Sequence, residues 1–509
     1  MFFSEATSVV GQFDRIAEIH KDNVAIVALG QETTYAELQQ SAQELAHCLR
    51  WSLSIRAGDR IALYMPAGLE LIVSMLAVQY LGCSFFPIYA GVPAKDVDGI
   101  IATSSVSACL TLRDADNDEK PQIYDMVSSR IVSIEQQDST IRQTPLCHHD
   151  SDRQDRECYM IRTSGSTGVP KMVSVSNRNL IDRFQSVSDV QTYSSDDTWL
   201  LFHSPAFDFS VWEIWGALLY GGTLVIPDEE TRKIPWEIVR LIKEQKITVL
   251  CQTPSYFNQI QIATRLLGPD YLSGLRYVIL GGEAVNNETV GAFLEAHKHL
   301  PLRVFNMYGI TEVTVHATCK ELVLPLSDLG VNNIGKALLG TDIKIVDEAH
   351  SEVPVGKTGE IILSGRGVAR YCPTTDNKGF GEFGPSGTWT YFSADRGRQL
   401  PNGEFEYLGR LNRQVKVAGF RVDLTEIEQS ALSLDHVRDA RAILAKSPAR
   451  ILLALITDKS KDEFDAGLKE VMPDYIWPSH CTAVEFQKFP INQNGKVDDS
   501  EIIHAVRKG

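Results

Sequence analysis

Apolar runs of strand length recur along this chain, each parted from the next by a stretch whose hydrophobic residues keep helical spacing. Val24–Ala28, Arg60–Tyr64, Trp199–Phe202, Thr223–Ile226, Thr248–Cys251 and Tyr277–Leu280 read as strands, and Tyr35–Leu49 and Trp236–Glu244 as helices. Strands that alternate with helices build layered domains with largely parallel sheets, so the expected fold class is α/β. Around Glu352–Ser364 and Gly403–Leu408 the runs become short and turn-linked, which predicts a small β-rich subdomain. At 509 residues the chain exceeds one ordinary core, because cores stop growing at roughly 250–300 residues and chains then split. The segment from Gly409 to Val415 is the best boundary, and about a hundred residues follow it. There Thr425-Glu-Ile-Glu428 reads as a capping box, opening a helix with Ile427, Ala431 and Leu434 on one face.

Composition narrows the class of partner. The formal charge of −16, from 49 Lys and Arg against 65 Asp and Glu, argues against a nucleic-acid binder. Hydrophobic residues at 44% and charged residues at 22% are those of an ordinary globular chain. Nine scattered cysteines without a C-x-x-C pair fit a reduced cytoplasmic protein better than a disulfide scaffold. The first residues, MFFSEATSVVGQFDR, lack the basic start and apolar core of a signal peptide. The apolar stretch from Leu69 to Ala94 approaches bilayer length, but Gln79, Gly82 and Pro87 interrupt it. A buried helix at Leu69–Leu81 followed by a buried strand at Ser84–Ile88 is expected instead. The cluster Cys147-His-His-Asp150 has metal-ligand residue types without metal-ligand spacing, so no zinc site is expected.

The densest chemical signal is Ile161-Arg-Thr-Ser-Gly-Ser-Thr-Gly-Val-Pro-Lys171. Thr163, Ser164, Ser166 and Thr167 supply hydroxyls, Gly165 and Gly168 let the backbone approach closely, and Lys171 adds a cation. Such a loop suits phosphate oxygens, although it does not satisfy the Walker A pattern. It resembles the phosphate-binding signature of the adenylate-forming superfamily, which includes acyl-CoA synthetases, luciferases and the adenylation domains of nonribosomal peptide synthetases. Further matches follow in the family's order: Thr34-Tyr-Ala-Glu-Leu38, Leu76–Ile88, Phe207-Asp-Phe-Ser210, Asn306-Met-Tyr-Gly-Ile-Thr-Glu312, Gly359-Glu360 with Gly365–Arg370, Tyr391–Asp395, Gly409–Glu428 and Asn494-Gly-Lys-Val-Asp498. They span nearly the whole chain.

The resemblance implies a large N-terminal domain of layered α/β subdomains plus the β-rich part (1–409), a hinge (410–414) and a small mobile α+β C-terminal domain (415–509). It implies ATP and Mg²⁺ as cofactors. Tyr308 would stack on adenine, with Gly281, Gly282, Glu283 and Ala284 as the opposite wall and Asn306 and Gly309 completing the nucleotide site. Asp395 and Arg410 would hold the ribose hydroxyls, since one carboxylate accepts from two of them. Thr311 would contact the α-phosphate and Glu312 would bind the metal, because magnesium takes few protein carboxylates. Lys496 matches the family's catalytic lysine, a cation aimed at the phosphoryl oxygens and substrate carboxylate. Several positions depart from the family pattern: Asn412 at the hinge, Ala394 and Thr425 where glycine is usual, Ala418 where arginine is usual, and no glycine between Arg370 and Tyr371.

Asp208 separates branches of the family, because amino-acid activators pair an aspartate there with the substrate ammonium. Alone, it reads equally as a helix cap before Ser210–Leu219. The pocket positions are Asp208, Phe209, Trp212, Cys251, Ile279, Gly281, Met307, Val315 and His316, closed by Lys496, with Phe207 beside them. This lining resembles threonine-activating domains except at Cys251, where asparagine is expected. A thiol is a weak hydrogen-bond partner, so 2-aminobutyrate and valine stay open beside threonine. The implied enzyme is a free-standing amino-acid adenylating ligase for natural-product biosynthesis. It would pass its aminoacyl group to the phosphopantetheine thiol of a separate carrier protein, with no nucleic-acid or membrane partner. An acyl-CoA synthetase and a non-catalytic amino-acid-binding relative are the alternatives.

Overall fold

The structure is a computed structural model that describes residues 3, 6, 8–53, 55–92, 94–112, 121–125, 130–133, 154–163, 171–326, 332–371, 379–411, 413–446, 449–473, 475–490 and 497–508. Residues up to 409 make most of one compact unit and residues 410–509 most of a second.

The first unit holds two large sheets. Five parallel strands lie at the centre of the larger one: β1 (Thr198–Leu200), β2 (Thr223–Ile226), β3 (Val249–Gln252), β4 (Tyr277–Leu280) and β5 (Arg303–Asn306), in the order β2-β1-β3-β4-β5. Antiparallel strands continue it beyond β5, through Thr318–Leu322, Asn333–Ala337 and Phe405–Arg410 to Thr388–Gln399, Thr358–Gly365 and Thr341–Val346. The parallel part and the β-rich part are therefore one continuous mixed sheet. The second sheet includes the parallel strands Arg60–Tyr64, Ser84–Ile88 and Ala108–Leu112.

Side chains that alternate along the five parallel strands separate two cores. Val249, Cys251, Tyr277, Ile279 and Phe305 face one of them, packed with Trp199, Trp212 and Trp215. Leu250, Val278, Leu280 and Val304 face the other, against Ile238, Val239 and Phe257. The apolar stretch after Leu69 forms the expected buried helix, Leu69–Tyr80, and then the fully buried strand Ser84–Ile88. No helix among the described residues is long and apolar enough to cross a membrane. The described cysteines, Cys48, Cys83, Cys109, Cys158, Cys251, Cys319 and Cys481, are free thiols.

The second unit contains a hairpin (Gln414–Val417 and Phe420–Asp423), the helix Leu424–Leu432, and a three-stranded sheet of Val437–Lys446, Ala449–Thr457 and Cys481–Glu485. Ile427, Ala431, Leu453, Phe464 and Leu468 are among the residues of its core. The capping box expected at Thr425 is corrected here. Asp423 is the N-cap, and its carboxylate accepts from the Thr425 N–H at 2.9 Å. Glu428 cannot serve as the box partner, because its carboxylate is held by the Arg413 guanidinium (2.8 Å) and the Ala442 N–H (2.8 Å). Asn412 and the cluster at 147–150 lie outside the described residues.

Candidate active site

The carboxyl ends of β3, β4 and β5 meet the start of helix α1 (Phe209–Leu218). Ligands favour the carboxyl ends of parallel strands, where loops leave the sheet. Cys251 and Ile279 are register partners on adjacent strands and so present side chains to the same face. Opposite them α1 contributes Phe209 and Trp212, while Met307 follows β5. His316 stands edge-on to Phe209 (5.2 Å between ring centroids) and to Trp212 (4.9 Å). Gly281 is tightly enclosed: a Cβ there would lie 3.0 Å from the Met307 carbonyl and 3.3 Å from the Phe209 ring. Phe207 packs at the margin of this cluster, and Val315 lies within it. The lining positions read from the sequence are thus brought together within one unit, Lys496 excepted, since it lies outside the described residues.

Asp208 occupies the N-cap position of α1 without acting as a cap. Its backbone is helical (φ −61°, ψ −22°) rather than extended, and its side chain makes no capping hydrogen bond. It is nonetheless buried, at 6% exposure. Its negative charge, after burial itself, helps push the Tyr159 phenol well above its ordinary value. The Cys251 thiol is likewise pushed well above its ordinary value, first by burial and then by the charge of Glu213. It stays a neutral thiol.

The residues that the family resemblance assigns to the nucleotide lie before, at the end of and beyond β5. The Tyr308 hydroxyl donates to the Asp395 carboxylate at 2.6 Å. Glu312 is fully buried and accepts from the Tyr391 hydroxyl at 2.7 Å. Thr311 opens the short helical turn Thr311–Val313. Gly309 is required sterically, since a Cβ would meet the Val315 carbonyl at 1.8 Å. Glu283 accepts from the Ser255 N–H at 3.1 Å, with Gly282 in a left-handed conformation (φ 83°) beside it and Ala284 exposed. Asn306 donates to the Asn333 carbonyl at 2.9 Å, a bond that ties β5 to a neighbouring segment.

Thr163 ends the strand Glu157–Thr163 and Lys171 begins the strand Lys171–Ser176. Ser164, Gly165, Ser166, Thr167 and Gly168 lie outside the described residues. Arg410 belongs to the second unit, where it donates to Gln414 at 2.7 Å. Among the described residues no group of three or more His, Cys, Asp or Glu is placed to hold a metal ion.

Sequence reasoning missed the support beneath the pocket. His203 stacks on Phe209 (4.5 Å, 21°) and its Nδ1 meets Glu213 at 2.8 Å. Glu213 also accepts from the backbone N–H groups of Phe202 (3.2 Å) and His203 (3.0 Å). Phe184 stacks on Trp212 at 4.3 Å. Only the spacing of Glu213 four residues beyond Phe209, one helical turn, hinted at a shared face.

A family model described as AMP-binding enzyme matches residues 13–371, well over half of the chain. The chain belongs to the AMP-binding enzyme family. This AMP-binding enzyme is 35% identical over 516 residues to the dimodular nonribosomal peptide synthase of Bacillus subtilis (strain 168), covering 96% of the chain but 21% of that protein. It therefore spans about a fifth of that relative's length. It is 32% identical to syringomycin synthase SyrB1 of Pseudomonas syringae pv. syringae, over 94% of the chain and 79% of SyrB1. Its fold is that of holo-PA1221, an NRPS protein containing adenylation and PCP domains. The TM-score is 0.81, at 24% identity, over 98% of this chain and 84% of that one.

Proposed function

We propose that this AMP-binding enzyme activates a small L-amino acid with ATP as an aminoacyl-AMP, with threonine favoured. It then transfers the aminoacyl group to the phosphopantetheine thiol of a separate carrier protein. The observation that carries the amino-acid class is Asp208, a buried carboxylate at the margin of an apolar pocket that is not used as a helix cap. An α-ammonium is the substrate group whose charge complements that carboxylate. Phe209, Trp212 and Met307 are large buried side chains of the surrounding cluster, which favours a small substrate side chain.

The nucleotide fits the residues present. Tyr308 offers an aromatic face held at its hydroxyl by Asp395, whose carboxylate keeps acceptor capacity for ribose hydroxyls. Glu312 would hold Mg²⁺ as one carboxylate, leaving the remaining positions to phosphate and water. Bound there, the ion would neutralise developing charge on the phosphate oxygens. Asp208 orients the amino acid so that its carboxylate faces the α-phosphate, and Thr311 and Lys496 supply donors where charge develops on the phosphoryl oxygens. By the family pattern, Asp395 and Arg410 are the residues assigned to the ribose hydroxyls. The loop from Thr163 to Lys171, with Ser164, Gly165, Ser166, Thr167 and Gly168, holds the departing phosphates.

The nonribosomal peptide synthases among the relatives, and the PCP domain fused to the adenylation domain in PA1221, support a carrier as acceptor. Amino-acid-dependent ATP–pyrophosphate exchange across a panel of amino acids tests the proposal, and exchange greatest with threonine is expected. No exchange with any amino acid sinks the enzymatic reading. Efficient thioester formation with CoA, and none with a phosphopantetheinylated carrier, would make the chain an acyl-CoA synthetase.

A further inference from the structure

Between the pocket and the nucleotide residues lies a turn that few sequences adopt. Thr314 and Val315 are consecutive left-handed residues, with φ of 60° and 66°. Both are β-branched, and for a β-branched residue this conformation is a genuine outlier. Strain of this kind persists only where the surroundings over-determine it, and it gathers at functional sites. The turn follows Thr311 and Glu312 and leads into Val315 and His316, so one backbone reversal sets both the nucleotide side and the amino-acid side.

Arg183 sits beneath this turn. It is 2% exposed and lies near the end of the helix Asn177–Gln185. Its Nη2 donates to the Val313 carbonyl at 3.0 Å and its Nη1 to the Thr341 hydroxyl at 3.0 Å. Gly367 makes the room: a Cβ there would lie 1.5 Å from Arg183 Nη2. The same glycine's carbonyl accepts from the Thr314 hydroxyl at 2.8 Å, and the Ala369 N–H donates to the Glu312 carbonyl at 2.9 Å. The turn closes on itself through His316 N–H to the Thr314 carbonyl (2.8 Å) and Ala317 N–H to the Tyr308 carbonyl (2.8 Å). Burial lowers the Arg183 guanidinium to about 10, with Asp182 opposing, so it remains a cation at neutral pH.

We propose that Arg183, seated against Gly367, is a positioning residue that holds the strained Val313–His316 turn and thereby couples the amino-acid pocket to the nucleotide residues. The inference rests on the functional reading above. A buried cation costs several kcal/mol of desolvation, and here its two-pronged donor spans the carbonyl of the turn and a neighbouring strand. Lysine carries the charge without that fork.

The test uses Arg183→Lys and Gly367→Ala in the full chain. Hydrogen exchange of the unliganded protein is expected to rise at least tenfold across 309–317 and to stay unchanged across 277–280 and 303–306. Exchange assays should show kcat/KM reduced at least tenfold, with the KM values for amino acid and ATP both raised. Should Arg183→Lys fail to fold, Gly367→Ala carries the test, since it displaces the guanidinium and leaves its charge in place. Folded variants with wild-type protection at 309–317, or with protection lost uniformly over the first unit, overturn the proposal. Wild-type protein that activates no amino acid overturns the functional reading instead, and the hydrogen-exchange comparison still decides the role of Arg183.

Discussion

Asp208→Asn separates the ammonium role from the structural one. Asparagine caps helices as well as aspartate does, and the Asp208 side chain makes no capping bond to lose. The substitution keeps the size of a side chain that is 6% exposed, so the melting temperature should move by no more than about 1 °C, the scale of a 1 kcal/mol effect in a unit of this size. Its charge is removed. A hydrogen bond to a charged group contributes about 1.5–3 kcal/mol, roughly 10- to 100-fold in affinity at 1.4 kcal/mol per decade. The KM for the amino acid in ATP–pyrophosphate exchange should rise by about that factor, and the KM for ATP should stay within twofold. An amino-acid KM that does not change, or one that rises together with the ATP KM and a fall in melting temperature, would refute the reasoning.

Four further outcomes are expected. Lys496→Ala should lose most adenylation while the protein still binds the amino acid in calorimetry; near-normal pyrophosphate exchange would remove the lysine from the mechanism. Cys251→Asn exchanges a neutral, buried thiol for an amide able to meet a hydroxyl. The ratio of kcat/KM for threonine over valine should then rise by about tenfold or more, the scale of one to three kcal/mol, and an unchanged ratio counts against threonine. Ala394 stands at φ 56°, in the left-handed region that favours glycine; Ala394→Gly relieves about 1–2 kcal/mol of strain against about 0.5–1 kcal/mol of glycine's backbone entropy. Thermal melting should show a small gain. Burial raises the Glu404 carboxyl, but hydrogen bonds from Lys320, Asn333 and Asn402 outweigh it and hold the group below its ordinary 4.5. Its stabilising contribution is therefore complete above pH 4.5 and lost as pH falls through the lowered value. Glu404→Gln should flatten the acid limb of stability measured by denaturant titration, and an unaltered limb would contradict the assignment.

Much of the site was legible because its motifs are local. Phe207-Asp-Phe-Ser210 and Asn306–Glu312 sit at strand ends and helix starts, where apolar periodicity stops and a short run of sequence dictates the turn. The capping box at Thr425 was misread because Thr425 and Glu428 match its spacing, whereas Asp423 supplies the acceptor and Arg413 takes the glutamate. Spacing does not reveal which of two competing acceptors a backbone N–H will find. His203, Glu213 and Phe184 were passed over for a related reason: ring stacking and buried side-chain hydrogen bonds leave little periodic trace.

By itself the amino-acid sequence determined the alternation of strands and helices, the family, and the candidate residues of the pocket, since each follows from local burial pattern and side-chain chemistry. Tertiary structure alone decided which of those groups act together. Tyr308 meets Asp395 across 87 residues, and Arg183 meets Val313 across 130. It also decided that Asp208 does not cap its helix and that Thr314 and Val315 are held left-handed. The physical reason is that periodicity reports only whether a residue is buried. Partners distant in sequence are chosen by the packing of sheets and loops, and that choice settles where a buried charge or a strained turn is tolerated.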